Sequence, residues 1–170
     1  DRDERNLRSN DNNFLFREFV RVLGHIKPKY FFVENVRGMA TASNGWFLQQ
    51  QLEAFQSVVP GYKIATPQLL DASSFGTPQS RKRLFIVGVR EDVGFQYQFP
   101  KPTHGPNSDI KFQSLQDVIG DAAEWPEWPE DEFFDFRFHG HYLTRNRKRD
   151  WQERSYTIVA NAHHVPLHPM

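Results

Sequence analysis

The chain has 170 residues, with 21 basic and 21 acidic side chains, 16 phenylalanines and no cysteine. The lack of cysteine excludes a disulfide framework, a thiolate zinc site and a cysteine nucleophile within this sequence. The net charge of zero argues against coating nucleic acid by bulk charge, and the absence of a signal peptide or a membrane-length apolar run indicates a soluble intracellular protein.

The length of 170 residues predicts one domain, or one domain and a small piece of another. Five segments before residue 100 show a clear secondary-structure pattern. In chain order they are a helix that starts at Asn13 and stops before Pro28, a strand at 30–33, a helix at about 44–58, a strand at 62–70 and a strand at 84–89. Because the strand at 30–33 is an unbroken apolar run, we expect it to be buried on both faces. Helices that alternate with strands in this order predict half of a doubly wound α/β sheet.

The composition changes near Pro100. The following residues contain many prolines and aromatic side chains but few aliphatic ones, so 101–170 predict a small, loop-rich second part. This part contains an acidic run at 121–135, with seven acids and no base, and a basic run at 145–154, with five cations and two acids. Such runs are either solvated surface or, where positive, sites of phosphate contact.

Two features before residue 100 carry residue types suited to chemistry. Glu34 directly follows an apolar strand, at the end where open α/β sheets bind ligands, so its carboxyl is a candidate proton donor. The alternatives are a Glu that caps the next turn or pairs with Arg37. Gln79, Arg81 and Arg83 share one face of an extended chain that enters the last apolar strand. An Arg83 that is partly buried there needs a carboxylate, a phosphate or a polar ligand, and structural pairing is the alternative to ligand binding.

Two segments resemble signature motifs of the cytosine-5 DNA methyltransferases. Phe-Phe-Val-Glu-Asn-Val-Arg-Gly, residues 31–38, resembles the family's Glu-Asn-Val motif. Residues 74–88, which contain Gly-Thr-Pro-Gln-Ser-Arg-Lys-Arg, resemble its Gln-x-Arg-x-Arg motif. The order and separation of the motifs also match the family. The resemblance covers residues 10–90 closely and continues at 115–120.

The family's chemistry assigns roles to these residues. In the family a cysteine thiolate adds to C6 of a cytosine flipped out of double-stranded DNA, and S-adenosylmethionine then methylates C5. The resemblance implies that Glu34 binds the exocyclic amine and N3 of that base, that Arg83 holds its O2 edge, and that Arg81 supports this cluster. It further implies that Asn35 orders the loop with the nucleophile and that Gln79 has a supporting role.

The resemblance also implies a domain organisation. Residues 1–100 would form the C-terminal half of a Rossmann-like catalytic methyltransferase domain, and 101–170 would form part of a target-recognition domain. The family's Phe-x-Gly-x-Gly cofactor loop and its Pro-Cys loop are absent from this sequence. We therefore expect an internal fragment, or one subunit of a split enzyme with a complementary chain, inactive alone because it lacks the catalytic cysteine. A non-catalytic DNA-binding relative and an RNA-directed homologue are the alternatives.

The basic run is similar to the target-recognition region of bacterial restriction–modification methylases near the GGCC-recognising branch, which implies a cytoplasmic protein of a bacterium or phage. Arg145 and Arg147 are candidate readers of guanine, for which arginine is the usual bidentate partner. Lys148 and Arg149 are candidate phosphate contacts. That branch has a further reading arginine near the position of His163, which is a candidate substitute donor.

Two other clusters have alternative interpretations. The five histidines between residues 139 and 168 fit no recurrent zinc spacing, so we expect no metal site. The aromatic residues between Trp125 and Phe138 either stack on bases or form a compact core, and the core is the more common use.

From the resemblance of the two motifs, we predict a DNA cytosine-5 methyltransferase that uses S-adenosylmethionine and acts on double-stranded DNA.

Overall fold

The structure, a computed structural model, describes residues 10–124 and 149–157. Its helices there are α1 (Phe16–Ile26), α2 (Trp46–Gln56) and α3 (Leu115–Ile119). Its strands there are β1 (Tyr30–Val36), β2 (Tyr62–Ile64), β3 (Gln68–Asp71) and β4 (Lys82–Arg90). Short 3₁₀ turns at Asp11–Phe14 and Ala72–Phe75 precede α1 and follow β3. Helices and a sheet are therefore combined in the described part of the chain.

The strands form one sheet with β4 at its centre. Both β1 and β2 pair with β4 in the antiparallel direction, and β3 also pairs with β4. The register joins Tyr30 to Val89 at one end of β1 and Val36 to Arg83 at the other. The end of β1 and the beginning of β4 therefore lie side by side.

The two faces of β1 differ in burial. Phe31 is 6% exposed and packs against Phe55 of α2, with 5.1 Å between the ring centroids. Phe32 points to the opposite face and is 57% exposed among the described residues. The predicted burial of this strand on both faces is therefore wrong in the described part of the chain, because α1 and α2 pack on the Phe31 side.

The remaining elements follow the sequence pattern, except that one predicted strand is divided. Helix α1 ends at Ile26, where Lys27 adopts a left-handed conformation with φ 51° directly before Pro28. The single strand predicted at 62–70 is divided into β2 and β3. Pro67 lies between them, and proline lacks the N–H that a continuous ladder requires and restricts the residue before it.

Side chains from both long helices and from the sheet form one core. Its buried members are Leu23, Phe31, Phe55, Val58, Tyr62 and Ile86. A fully buried phenylalanine contributes about 1.5–3 kcal/mol relative to an exposed one. Burial raises the pKa of Tyr62, whose hydroxyl donates a hydrogen bond to the Pro28 carbonyl at 2.7 Å. This core fixes β1 and β4 against the helices and leaves the opposite face of β1 available.

We predict that Gly88→Ala destabilises the protein by about 1–3 kcal/mol, because the new methyl group overpacks the core. A Cβ at Gly88 would lie 2.1 Å from Cε1 of Phe31, which is itself buried. The midpoint of urea unfolding measures the loss. Gly38→Ala is the matched control, since a Cβ there meets nothing within 4 Å. Equal midpoints for the two variants would contradict this packing.

The described residues divide into two compact units. One contains residues 10–70 and 82–100, and the other contains 71–81 together with 101–124 and 149–157. One division falls after Pro100, and the loop 71–81 is grouped with the later residues. Across residues 10–124 and 149–157, no helix has the length and apolar character needed to span a membrane.

Candidate functional site

Glu34 and Arg83 meet on the open face of the sheet. In the register, Glu34 is opposite Phe85 and Arg83 is opposite Val36, so the two charged residues are diagonal neighbours on the same face. The Nε of Arg83 lies 2.8 Å from Oε1 of Glu34. The structure therefore brings together the two residues that the sequence singled out independently.

The pair is partly accessible from solvent. The Glu34 side chain is 43% exposed and that of Arg83 is 20% exposed. Arg83 also donates through Nη1 to the Lys82 carbonyl at 3.0 Å. A guanidinium has five N–H donors, and a carboxylate has about four acceptor positions. These residue types are of the kind that suits a planar polar ligand with both a donor and an acceptor on one edge.

Two aromatic rings border this ion pair. Phe32 and Phe85 lie on the same face of the sheet, with 5.2 Å between their ring centroids. A charged pair beside an exposed apolar surface suits a ligand with polar edges and flat apolar faces, because each part finds a complementary partner.

Asn35 lies on the other face of β1. Its Oδ1 accepts a hydrogen bond from the backbone N–H of Val36 at 2.8 Å. It lines a cavity of about 350 Å³ together with Glu34, Met39 and the buried Gln51. In the described residues Asn35 therefore shapes the end of β1, and its predicted role toward a nucleophile loop stays a prediction.

Gln79 and Arg81 lie in the loop before β4, whereas Arg83 is part of the strand. Asp71 fixes the base of this loop, because its Oδ1 accepts from the backbone N–H of Ser73 at 3.2 Å and of Arg81 at 3.1 Å. The carbonyl of Arg81 in turn accepts from the Ala72 N–H at 3.0 Å. Gln79 forms a β-bridge with Ser155. The backbone of both predicted site residues is therefore held by defined partners.

Arg149 is the described member of the predicted DNA-contacting set. Its Nη1 lies 2.8 Å from Oε1 of Glu153, and its guanidinium carbon lies 3.6 Å from the centre of the Tyr156 ring. The guanidinium is therefore engaged within its own segment, and phosphate contact by Arg149 stays a prediction. Arg145, Arg147, Lys148 and His163 lie outside the described residues.

Arg154 is a residue that the sequence reasoning missed. Its Nη1 donates to Oγ of Ser73 at 2.8 Å, and its guanidinium carbon lies 4.0 Å from the centre of the Phe112 ring. Ser73 is fully buried in the described structure. No local pattern could have identified this contact, because the partners are 81 residues apart in the chain.

Helix α3 begins with a reciprocal cap formed by Ser114 and Asp117. The Ser114 backbone N–H and hydroxyl both donate to Oδ2 of Asp117, at 2.7 and 2.8 Å, and these bonds lower the pKa of that carboxyl. Asp117 returns a backbone N–H to Oγ of Ser114 at 3.3 Å. Such a capping box fixes the start of the helix.

Comparison with known proteins gives a consistent set of relatives. The sequence matches the C-5 cytosine-specific DNA methylase family over residues 4–164. It is 42% identical to the type II methyltransferase M.BsuRI of Bacillus subtilis over 164 residues, which cover 96% of this chain and 36% of that protein. It is 37% identical to the type II methyltransferase M.BspRI of Lysinibacillus sphaericus, over 96% of this chain and 37% of that protein. The chain thus spans little more than a third of these relatives.

A solved structure supports the fold. The Dnmt2 methyltransferase of S. pombe superposes with a TM-score of 0.53 at 14% sequence identity, over 89% of this chain and 46% of that chain. At this identity the likeness concerns the fold alone. Together with the helices and sheet described above, it confirms the predicted α/β methyltransferase fold.

Proposed function

The chain belongs to the C-5 cytosine-specific DNA methylase family, and we propose that it is part of an enzyme that methylates C5 of a cytosine in double-stranded DNA. The methyl donor would be S-adenosylmethionine, and the cytosine would be flipped out of the duplex. The named relatives are type II methyltransferases, which supports a place in a restriction–modification system. The observation that carries the proposal is the 2.8 Å contact between Glu34 and Arg83 on the open face of the sheet.

The ion pair matches the hydrogen-bonding edge of cytosine. That edge offers an amine donor at N4 and acceptors at N3 and O2. The Glu34 carboxyl would accept from the amine and supply a proton to N3, while N–H groups of Arg83 would donate to O2. Arg81 would support this arrangement from the loop before β4. The exposed ring of Phe32 and the half-buried ring of Phe85 would border the flat faces of the base.

Protonation at N3 explains why this carboxyl matters for the reaction. A thiolate that adds to C6 forms a C–S bond and pushes an electron pair into the ring. If the carboxyl of Glu34 is protonated when the base is bound and gives its proton to N3 at the same time, the base adduct carries no net negative charge, Glu34 becomes the carboxylate, and C5 becomes an enamine carbon. Positioned proton transfer of this kind contributes typically about 10²–10⁴-fold to a rate.

The cofactor and the nucleophile would be bound by other residues. The family's Phe-x-Gly-x-Gly loop is absent from this sequence, and its 170 residues include no cysteine. In the proposal the main cofactor loop lies outside this sequence, and we assign none of the described residues to S-adenosylmethionine. In the proposal the thiolate comes from elsewhere in the same polypeptide or from a complementary chain, so this chain alone would not transfer methyl groups.

The test is bisulfite sequencing of DNA from cells that express the full-length gene. We expect cytosines protected from conversion within one recurring short sequence, and no protection when Glu34→Gln replaces the wild type. If the DNA contains no protected cytosines when the wild-type gene is expressed, the proposed DNA methyltransferase activity is refuted. If the DNA shows no protection but bisulfite sequencing of RNA from the same cells shows protected cytosines in transfer RNA, the RNA-directed alternative is supported instead. Specific duplex binding without protection would support the non-catalytic alternative.

Arg145→Ala and Arg147→Ala should each relax the sequence preference of the enzyme. A bidentate arginine–guanine contact supplies about 1–3 kcal/mol of discrimination, so methylation at sites with one wrong base should rise about 10–100-fold relative to the true site. Deep bisulfite sequencing of a random-sequence library measures the preference. Lys148→Ala is the control, since loss of a phosphate contact weakens binding uniformly across sequences. An unchanged preference in both arginine variants would exclude them as base readers.

A further inference from the structure

Residues 149–157 are bound on one side to the start of helix α3. The backbone N–H of Leu115 donates to the Glu153 carbonyl at 2.9 Å, and that of Gln116 donates to the Trp151 carbonyl at 2.8 Å. These are first-turn N–H groups, which have no acceptor within their own helix. The segment therefore completes the hydrogen bonding of α3.

On the other side the same segment is bound to the loop that contains Gln79 and Arg81. The Ser155 N–H donates to the Pro78 carbonyl at 2.8 Å, and the Ser155 carbonyl accepts from the Ser80 N–H at 3.0 Å. Thr157 adds a hydroxyl bond to the Ser80 carbonyl at 3.1 Å. Backbone bonds thus flank Gln79 on both sides within a single structural unit.

Arg154 provides the side-chain part of this attachment. It donates to the buried hydroxyl of Ser73 at 2.8 Å, and its guanidinium carbon lies over the Phe112 ring, so two contacts hold the guanidinium. Ser73 also donates its N–H to Asp71, and Asp71 accepts from the N–H of Arg81. A short chain of contacts therefore runs from Arg154 to the backbone of Arg81.

We propose that Arg154 and Ser73 are positioning residues that hold Gln79 and Arg81 in place for methyl transfer. The inference rests on the proposed function, because it assigns a task to the loop only if Arg81 supports the cytosine site. Residues 149–157 directly follow the candidate base readers Arg145 and Arg147 in sequence. The segment that fixes the loop is therefore continuous with the residues expected to read the target.

The expected signature is a split between turnover and binding. Displacement of a supporting group by about 1 Å can lower a rate about 10²-fold, so Arg154→Ala should lower kcat about 10–100-fold with KM for the target duplex within about threefold. Loss of a base or phosphate contact would instead raise KM. Ser73→Ala, which removes only the hydroxyl, should lower kcat in the same direction by a smaller factor.

The experiment uses the full-length enzyme and measures kcat, KM for duplex DNA and the unfolding midpoint of each variant. Arg154→Lys should recover part of kcat, because an ammonium can still donate to Ser73 but lacks the planar stack on Phe112. Arg21→Ala is the charge-matched control, since Arg21 is exposed on α1 and pairs only with neighbouring Glu18 among the contacts seen there. Wild-type kcat in folded Arg154→Ala, or a rise in KM alone, would overturn the proposal. If Arg154→Ala does not fold, wild-type kcat in Ser73→Ala overturns it.

The proposed function and the positioning role of Arg154 fail in different ways. If the wild-type enzyme methylates DNA and Glu34→Gln abolishes this activity, the proposed function stands. In that case, a wild-type kcat in the Arg154→Ala variant rules out only the positioning role. If the wild-type enzyme methylates no DNA, or Glu34→Gln leaves transfer unchanged, the proposed site itself is wrong.

Discussion

Glu34→Gln in the full-length enzyme should lower methyl transfer about 10²–10⁴-fold while the protein remains folded. Glutamine has the same shape but cannot release a proton to N3 of cytosine. In one of the two orientations of its amide, the NH₂ group of glutamine faces the N4 amine of cytosine, so that two donors oppose each other. The ionic part of the 2.8 Å contact with Arg83 is lost as well.

Single-turnover kinetics with a labelled methyl donor and a target duplex measures this change, because it isolates the chemical step from product release. Glu53→Gln is the matched control. Glu53 is an exposed carboxylate on α2 that accepts hydrogen bonds from Gln49 and Gln50, and its neutralisation should leave the rate unchanged. Wild-type transfer by the Glu34 variant would contradict the assignment of this carboxyl.

Arg83→Ala should lower methyl transfer about 10²–10³-fold, since it removes a fixed donor from a site where charge develops. The change removes the expected donor to O2 and also the guanidinium that orients Glu34. Arg83→Lys should restore only part of the activity, because an ammonium does not reproduce the fork of N–H groups that contacts carboxylate and base together.

Lys82→Ala is the control for this variant. Lys82 is the neighbouring residue of β4 and is exposed, and successive strand residues point to opposite faces of the sheet. Its replacement by alanine removes one positive charge from the neighbouring position and leaves the side-chain contact between Glu34 and Arg83 in place. Equal losses in the two variants would show that general positive charge, and not the Arg83 contact, supports transfer.

The strand positions of the site residues follow from the sequence, but their contact does not. Apolar runs place Glu34 at the end of one strand and Arg83 at the beginning of another. Whether the two meet depends on which strands pair and in which register. That pairing joins residues about 50 positions apart and is decided by the packing of Phe31, Phe55 and Ile86 in the shared core.

The different burial of the two β1 faces and the contacts of Arg154 could not be predicted from the sequence. The run Tyr-Phe-Phe-Val is apolar throughout, so it contains no alternation that would reveal the exposed side of Phe32. Arg154 belongs to a basic run, for which solvent or phosphate contact is the natural expectation. Its buried partner Ser73 is brought near by the fold and not by any local pattern.

The grouping of residues 71–81 with the later part of the chain matters for exchanging recognition regions between relatives. A chimera that replaces only the residues after Pro100 would give Pro78 and Ser80 a foreign partner for the backbone groups that now bind Ser155. An unmatched N–H or carbonyl costs about 1–3 kcal/mol when it is fully buried, and each of these half-buried residues would lose up to that amount. A chimera that exchanges the proposed recognition region should therefore exchange residues 71–81 together with the residues after Pro100.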